Sequence, residues 1–151
     1  MHSVDFLKDP HYFIHREVSH KDLLRKIVIF KDLSQKSLSM IEERMETLTL
    51  KKGERVISED AVAKGVYFVY SGAVKLTKQD ENGNEIIVCI KQQGDVFAEA
   101  CLFTQKTEFY PATAAMLQDG KVFFLDKAEL EQDLYRNPEL AMQMIRYMSD
   151  A

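Results

Sequence analysis

Residues Gly94 to Ala114 read GDVFAEACLFTQKTEFYPATA. Gly94-Asp95 is a turn signal that closes an apolar, strand-like run. A short apolar turn with a single carboxylate comes next, Phe97-Ala98-Glu99-Ala100-Cys101-Leu102-Phe103. A polar loop follows from Thr104 to Glu108, and the small residues of Phe109-Tyr110-Pro111-Ala112-Thr113-Ala114 then lead into an extended segment. Small residues beside a turn admit a ligand or a second backbone at close range. The rest of the chain reads as scaffold around this stretch.

On its N-terminal side the apolar pattern has the two-residue period of strands. Leu48 and Leu50 alternate with Thr47, Thr49 and Lys51, and Lys52-Gly53-Glu54 turns the chain into Arg55-Val56-Ile57. Gly65 precedes Val66 to Tyr70, Ser71-Gly72 turns into Ala73 to Thr77, and Asp80-Glu81-Asn82-Gly83 is a hairpin signal. Glu85 to Lys91 reads as the return strand, with Ile87 and Cys89 on one face and Ile86, Val88 and Ile90 on the other. Beyond the quoted stretch, Met116-Leu117 and Val122 to Leu125 flank the turn Gln118-Asp119-Gly120. Short strands separated by such turns predict a closed β-sandwich or jelly roll.

Helical signals flank these strands. Ser19-His20-Lys21-Asp22 looks like a capping box opening a short helix, Leu23 to Ile29. Ser34 caps a second helix with Leu38, Ile41 and Met45 on one face. Asp126 to Glu129 opens a third, carrying Leu130 and Leu134. Asn137-Pro138 starts a last one, whose apolar stripe is Ala141, Met144, Ile145 and Met148. The expected organisation is an N-terminal arm and short helix over 1–28, a barrel over 29–136, and a terminal helix from 137 to 151. The fold class is mainly β with flanking helices.

Composition narrows the function. With 151 residues, 46% hydrophobic and 29% charged, the chain suits one domain with a real core. A net charge of -4 without a basic block lacks the footprint of a nucleic-acid surface. No apolar run approaches the roughly 20 residues that span a membrane, and Met1 to Pro10 has no signal-peptide core. Cys89 and Cys101 give neither a disulfide framework nor a C-x-x-C pair. These features imply a cytoplasmic protein. The sequence has no nucleophile elbow, Walker A or dinucleotide fingerprint. A metal-dependent barrel enzyme needs barrel-borne histidines, and all four here, the last at His20, precede the barrel. A non-enzymatic role is expected.

The quoted stretch resembles the phosphate-binding cassette of the cyclic-nucleotide-binding fold, in particular that of Crp/Fnr-type bacterial transcription regulators. Their pattern is Gly, an acid, two variable positions, Gly or Ala, Glu, two more variable positions, Leu-Phe, a loop and Arg-Ser-Ala. Gly94, Asp95, Ala98, Glu99, Leu102 and Phe103 match the first half. The turns at Gly53, Gly72 and Gly94 also fall where that family's barrel turns fall. The resemblance implies a jelly-roll effector domain whose contacts would come from Ala98, Glu99, Ala100, Cys101, Tyr110, Pro111, Ala112 and Thr113. It also implies a homodimer formed through the last helix, along Ala141, Met144, Ile145 and Met148. DNA would be bound only through a C-terminal helix-turn-helix domain that this sequence does not contain. The chain therefore looks like a sensor domain cut short or a natural stand-alone one. The competing reading is a cyclic-nucleotide-binding module that regulates another protein. A flexible Met-rich surface of Met142, Met144 and Met148 for a different partner is a further reading.

The second half of the cassette departs from the pattern. Tyr110 and Pro111 stand where the cyclic-nucleotide binders have Arg and Ser. A buried cyclic phosphate needs a fixed cation, which Arg supplies as a bidentate fork. Each hydrogen bond to a charged group contributes roughly 1.5–3 kcal/mol, so the loss of two weakens binding by about two to four decades. No Arg or Lys lies between Lys106 and Lys121 to replace it. The expectation is a Fnr-like branch member that does not respond to cAMP. Its pocket would either take an unknown small-molecule effector or be filled by Tyr110. Glu99 would either accept from a ribose hydroxyl, as in the family, or hold the backbone of its own turn. Cofactor expectations follow the ligand set. An iron–sulfur cluster needs four thiolates where this chain has two. Haem, which some family members bind, is left open, although His11 and His15 are four apart with no third ligand indicated, and no metal site is assigned. Cys101 is either a redox thiol or a small buried side chain.

Overall fold

The computed structural model describes residues 24, 25, 27, 29–102, 104 and 106–150, with Met148 and Asp150 described in their backbone only. The proposed capping box at Ser19 and all four histidines lie outside these residues. Among the described residues, eight strands form two four-stranded antiparallel sheets. The strands are β1 (Glu46–Leu50), β2 (Arg55–Ile57), β3 (Gly65–Val69), β4 (Val74–Gln79), β5 (Glu85–Lys91), β6 (Val96–Phe97), β7 (Thr113–Met116) and β8 (Gly120–Asp126). The first sheet has the order β1-β8-β3-β6 and the second β2-β7-β4-β5. This is the jelly-roll arrangement of two facing sheets that the turn spacing predicts.

Local chemistry places the corners. Asp80 Oδ1 accepts from the Asn82 and Asn84 N–H groups at 2.9 and 2.8 Å, which shapes the β4–β5 hairpin. Gly83 sits there at φ +82°, a conformation that suits glycine. One expected alternation fails. Leu76 pairs with Cys89 and its neighbour Thr77 pairs with Ile87, so Val88 is an extra, unpaired residue. Adjacent residues on β4 face opposite ways. Ile87 and Cys89 therefore lie on opposite faces of β5, not on one.

Among the described residues, three α-helices follow the predicted caps: α1 (Gln35–Arg44), α2 (Lys127–Arg136) and α3 (Pro138–Asp150). Ser34 accepts from Ser37 N at 3.2 Å, Asp126 from Glu129 N at 3.2 Å and Asn137 from Leu140 N at 3.2 Å. Leu24, Ile27, Ile29, Phe30 and Leu33 precede α1 and are buried in the same core as the strands. Phe30 packs on Phe68 of β3 with ring centroids 4.8 Å apart.

The stripe assigned to α3 needs correction. Met144 is 1% exposed and packs into the domain core beside Leu140, whereas Ile145 is 54% exposed. Ala141 is half-buried against the core, and Met142 is exposed. Leu140, Met144 and Tyr147 lie three and four apart and form the inward edge. Met144 turns inward and Ile145 outward, so these two do not share one exposed seam.

Candidate functional site

The cassette hangs between β3 and the 3-10 turn that follows β6. Gly94 N donates to Val69 O at 2.8 Å and Val69 N to Asp95 O at 2.9 Å. The Asp95 carboxylate accepts from Gln92 N at 2.8 Å, which closes the turn on itself. Ala98 then takes φ +67°, a left-handed backbone conformation uncommon for a residue with a Cβ. That twist starts the 3-10 turn Glu99–Cys101. Glu99 is half-buried and Ala100 exposed, while Cys101 points inward, its thiol 3.8 Å from Gly65 O. Glu99 and Cys101 thus diverge after a single turn.

The return leg is built around Tyr110. Its ring is 4% exposed. Its hydroxyl accepts from Lys64 N at 3.1 Å and Gly65 N at 3.3 Å and donates to Gly65 O at 3.1 Å. Its backbone exchanges hydrogen bonds with the opposite loop, Tyr110 N to Ala61 O at 2.8 Å and Asp60 N to Tyr110 O at 2.9 Å. Gly65 is required at this junction, because a Cβ there would collide with the Leu125 carbonyl oxygen and the Phe124 ring. Tyr67 stacks on Phe97 at 5.2 Å and leans on Phe124 at 5.0 Å and Tyr110 at 6.5 Å. Burial, and next the neighbouring Tyr110, hold the Tyr67 proton far above the ordinary tyrosine value of 10.0. Four aromatic rings therefore occupy the space behind the cassette.

The remaining candidates separate. Pro111 is exposed and Ala112 buried. Thr113 pairs with Thr77 on the outer face of the second sheet, opposite in direction to the buried Ala114, and accepts from Glu59 N at 2.9 Å. Thr113 thus points the other way from Ala114, as a strand's alternation requires.

The profile of the family described as "Cyclic nucleotide-binding domain" matches residues 47–137, more than half of the chain. The chain belongs to that family. The cyclic nucleotide-binding domain is 29% identical over 115 residues to the "Anaerobic regulatory protein" of Bacillus subtilis, covering 74% of this chain and 48% of that protein. It is 33% identical over 103 residues to the "Global nitrogen regulator" of Nostoc sp., covering 67% and 45%. It also superposes on the sensor domain of the transcriptional regulator DNR from Pseudomonas aeruginosa, with a TM-score of 0.76, 26% identity and 90% of each chain covered. These relatives place it with the Crp/Fnr-type sensor domains. The chain spans about half the length of the curated relatives it matches.

Two residues that the sequence analysis passed over approach this cassette. Lys127 at the start of α2 donates from Nζ to Thr104 O at 3.2 Å and pairs with Glu131 at 3.0 Å. Tyr147 of α3 is half-buried, and burial first, then the Glu99 charge, raise its hydroxyl pKa. Both are far from the cassette in sequence, so no local motif marks them.

Burial raises the Cys101 thiol pKa, and the Lys127 charge offsets this only in part. The thiol is therefore neutral and sheltered. Native-state alkylation is expected at half-buried Cys89 well before Cys101, read by peptide mass spectrometry. Equal labelling of both would contradict the sheltered placement.

A concavity of about 340 Å³ opens elsewhere, on the outer face of the second sheet, and Arg55, Lys75, Thr77, Glu85 and Thr113 contribute to its lining. Lys75 is paired with Glu85 at 2.7 Å.

Proposed function

We propose that this domain is the effector-sensing part of a Crp/Fnr-type transcription regulator and that cAMP is not its effector. The observation that carries the reading is the Tyr110 hydroxyl. At the position where cyclic-nucleotide binders hold an arginine, this chain has a buried neutral side chain whose donor and acceptor capacity is used by Lys64 and Gly65. Pro111 brings no N–H. Lys127, a cation that reaches the cassette loop, is engaged by Glu131 and Thr104. A cyclic phosphate would be desolvated beside Glu99 and Asp95 without a fixed counter-charge, which costs several kcal/mol.

The domain acts by population shift rather than catalysis. An effector at the cassette would change its packing against α3, and the regulator would pass that change to DNA-binding domains outside this chain. The effector's contacts are assigned to Ala98, Glu99, Ala100 and Ala112, with Tyr110 and Cys101 as the wall behind them. The working unit is a homodimer in the cytoplasm. No described helix is long and apolar enough to cross a membrane. Titration calorimetry of the unaltered chain with micromolar cAMP tests the reading, and no binding heat is expected. Saturable micromolar binding would overturn it.

A further inference from the structure

The concavity on the outer face of the second sheet follows from the strand register. Ala115 of β7 is the direct cross-strand partner of both Arg55 of β2 and Lys75 of β4. Direct partners point to the same face. Two long cationic side chains therefore rise about 10 Å apart, two strand spacings, with only a methyl group between them. This gap forms the hollow of about 340 Å³, which Lys52 of the β1–β2 turn also lines. Along the same face the next cross-strand pair is Thr77 and Thr113.

The lining has three cations and one carboxylate, Glu85, on a chain whose net charge is -4. Lys75 Nζ holds that carboxylate at 2.7 Å. Among the described residues, Lys52 and Arg55 have no carboxylate at ion-pairing distance. Arg55 Nη1 reaches only the Ser58 hydroxyl, at 3.4 Å.

The threonines add neutral donors. Thr77 is 5% exposed although it lies on the outer face, and among the described residues its hydroxyl makes no hydrogen bond. Buried polar groups rarely go unpartnered, and this one lines the hollow. Thr113 Oγ1 accepts from Glu59 N at 2.9 Å, which leaves its own proton to donate. Cations and hydroxyl donors around a small-residue gap match an oxyanion. Arg offers a phosphate its planar fork and Lys a point charge. The negative net charge disfavours a long polyanion such as a nucleic acid.

We propose that this hollow binds a small phosphate, as the free anion or as a phosphomonoester. Arg55 and Lys52 supply the charge, Thr77 and Thr113 the neutral donors, and Ala115 the room. The site does not depend on what the cassette senses.

The test is an NMR titration of the 151-residue chain with sodium phosphate, with sodium chloride holding the ionic strength constant. Saturable amide shifts are expected at Arg55, Lys75, Thr77, Thr113 and Ala115, half-complete at millimolar phosphate or below. Thr77→Val keeps the side chain's shape and deletes the hydroxyl. One hydrogen bond to a charged group corresponds to roughly tenfold or more in affinity. Thr77→Val should therefore weaken phosphate binding by that factor and melt no lower than the parent, since it breaks no internal bond. Arg55→Gln, at an exposed position, should weaken binding similarly and also melt with the parent. Glycerol phosphate run alongside separates the two sources: tighter binding assigns the monoester, equal or weaker binding the free anion. Shifts that never saturate, or a Thr77→Val protein that binds phosphate as the parent does, overturn the site. A Thr77→Val protein that melts well below the parent makes the hydroxyl structural and overturns it too. A short DNA duplex that moves the same signals at lower concentration than phosphate overturns the small-ligand assignment.

Discussion

Changing Tyr110 to Arg and Pro111 to Ser, the pair that restores the phosphate-binding pattern, is expected to destabilise the domain and to give no cAMP binding. In an open barrel the new guanidinium would meet a phosphate. Here position 110 is buried against Tyr67 and Gly65. Arg has five donors and no acceptor, so it cannot take the hydrogen bonds that Lys64 N and Gly65 N now give to the tyrosine hydroxyl. Each buried N–H left unsatisfied costs about 1–3 kcal/mol, and an unpaired buried charge adds to that. Against a total stability of about 5–15 kcal/mol, a loss of about 3 kcal/mol or more lowers the melting temperature by on the order of 10 °C. Thermal melting followed by calorimetry checks both halves. A variant that melts with the parent and binds micromolar cAMP would show that the aromatic cluster had not filled the barrel.

The readable part of this fold was the part governed by local chemistry. Gly53, Gly72, Gly83 and Gly94 all take positive φ, as turn glycines do. Ser34, Asp126 and Asn137 cap the helices that they precede in sequence, because a cap and its N–H partner are only three residues apart. The cassette was legible for a similar reason. Ala98 stands at a left-handed position where the family uses Gly or Ala. The family match over 47–137 takes in these turns and the cassette.

What escaped the sequence depends on partners far along the chain. The extra residue at Val88 exists only relative to β4, so an evenly alternating reading of β5 could not contain it. The direction of Thr113 follows from the register of β7 against β4. Tyr110 was visible as a missing arginine, but its hydroxyl's bonds to Lys64 and Gly65 span 45 residues or more. Lys127 reaches the cassette loop only after the barrel closes.

Met144→Lys and Ile145→Lys, neighbours in sequence, are expected to differ in kind. Met144 is 1% exposed, so an ammonium there has neither water nor a partner, and the penalty is several kcal/mol. That is comparable with the whole stability of a small domain, and the variant should unfold or melt far below the parent. Ile145 is 54% exposed, and a charge there changes stability by about 0.5 kcal/mol or less. If Met142 and Ile145, three apart on the outward side of α3, carry the homodimer contact, then Ile145→Lys melts as the parent does but sediments as a monomer. Circular dichroism melting with sedimentation velocity separates the two effects. A stably folded Met144→Lys protein would contradict the inward placement of that side chain. An Ile145→Lys protein that stays dimeric would move the seam off this face of the helix, since a lysine pair across a symmetric contact sets like charges against each other.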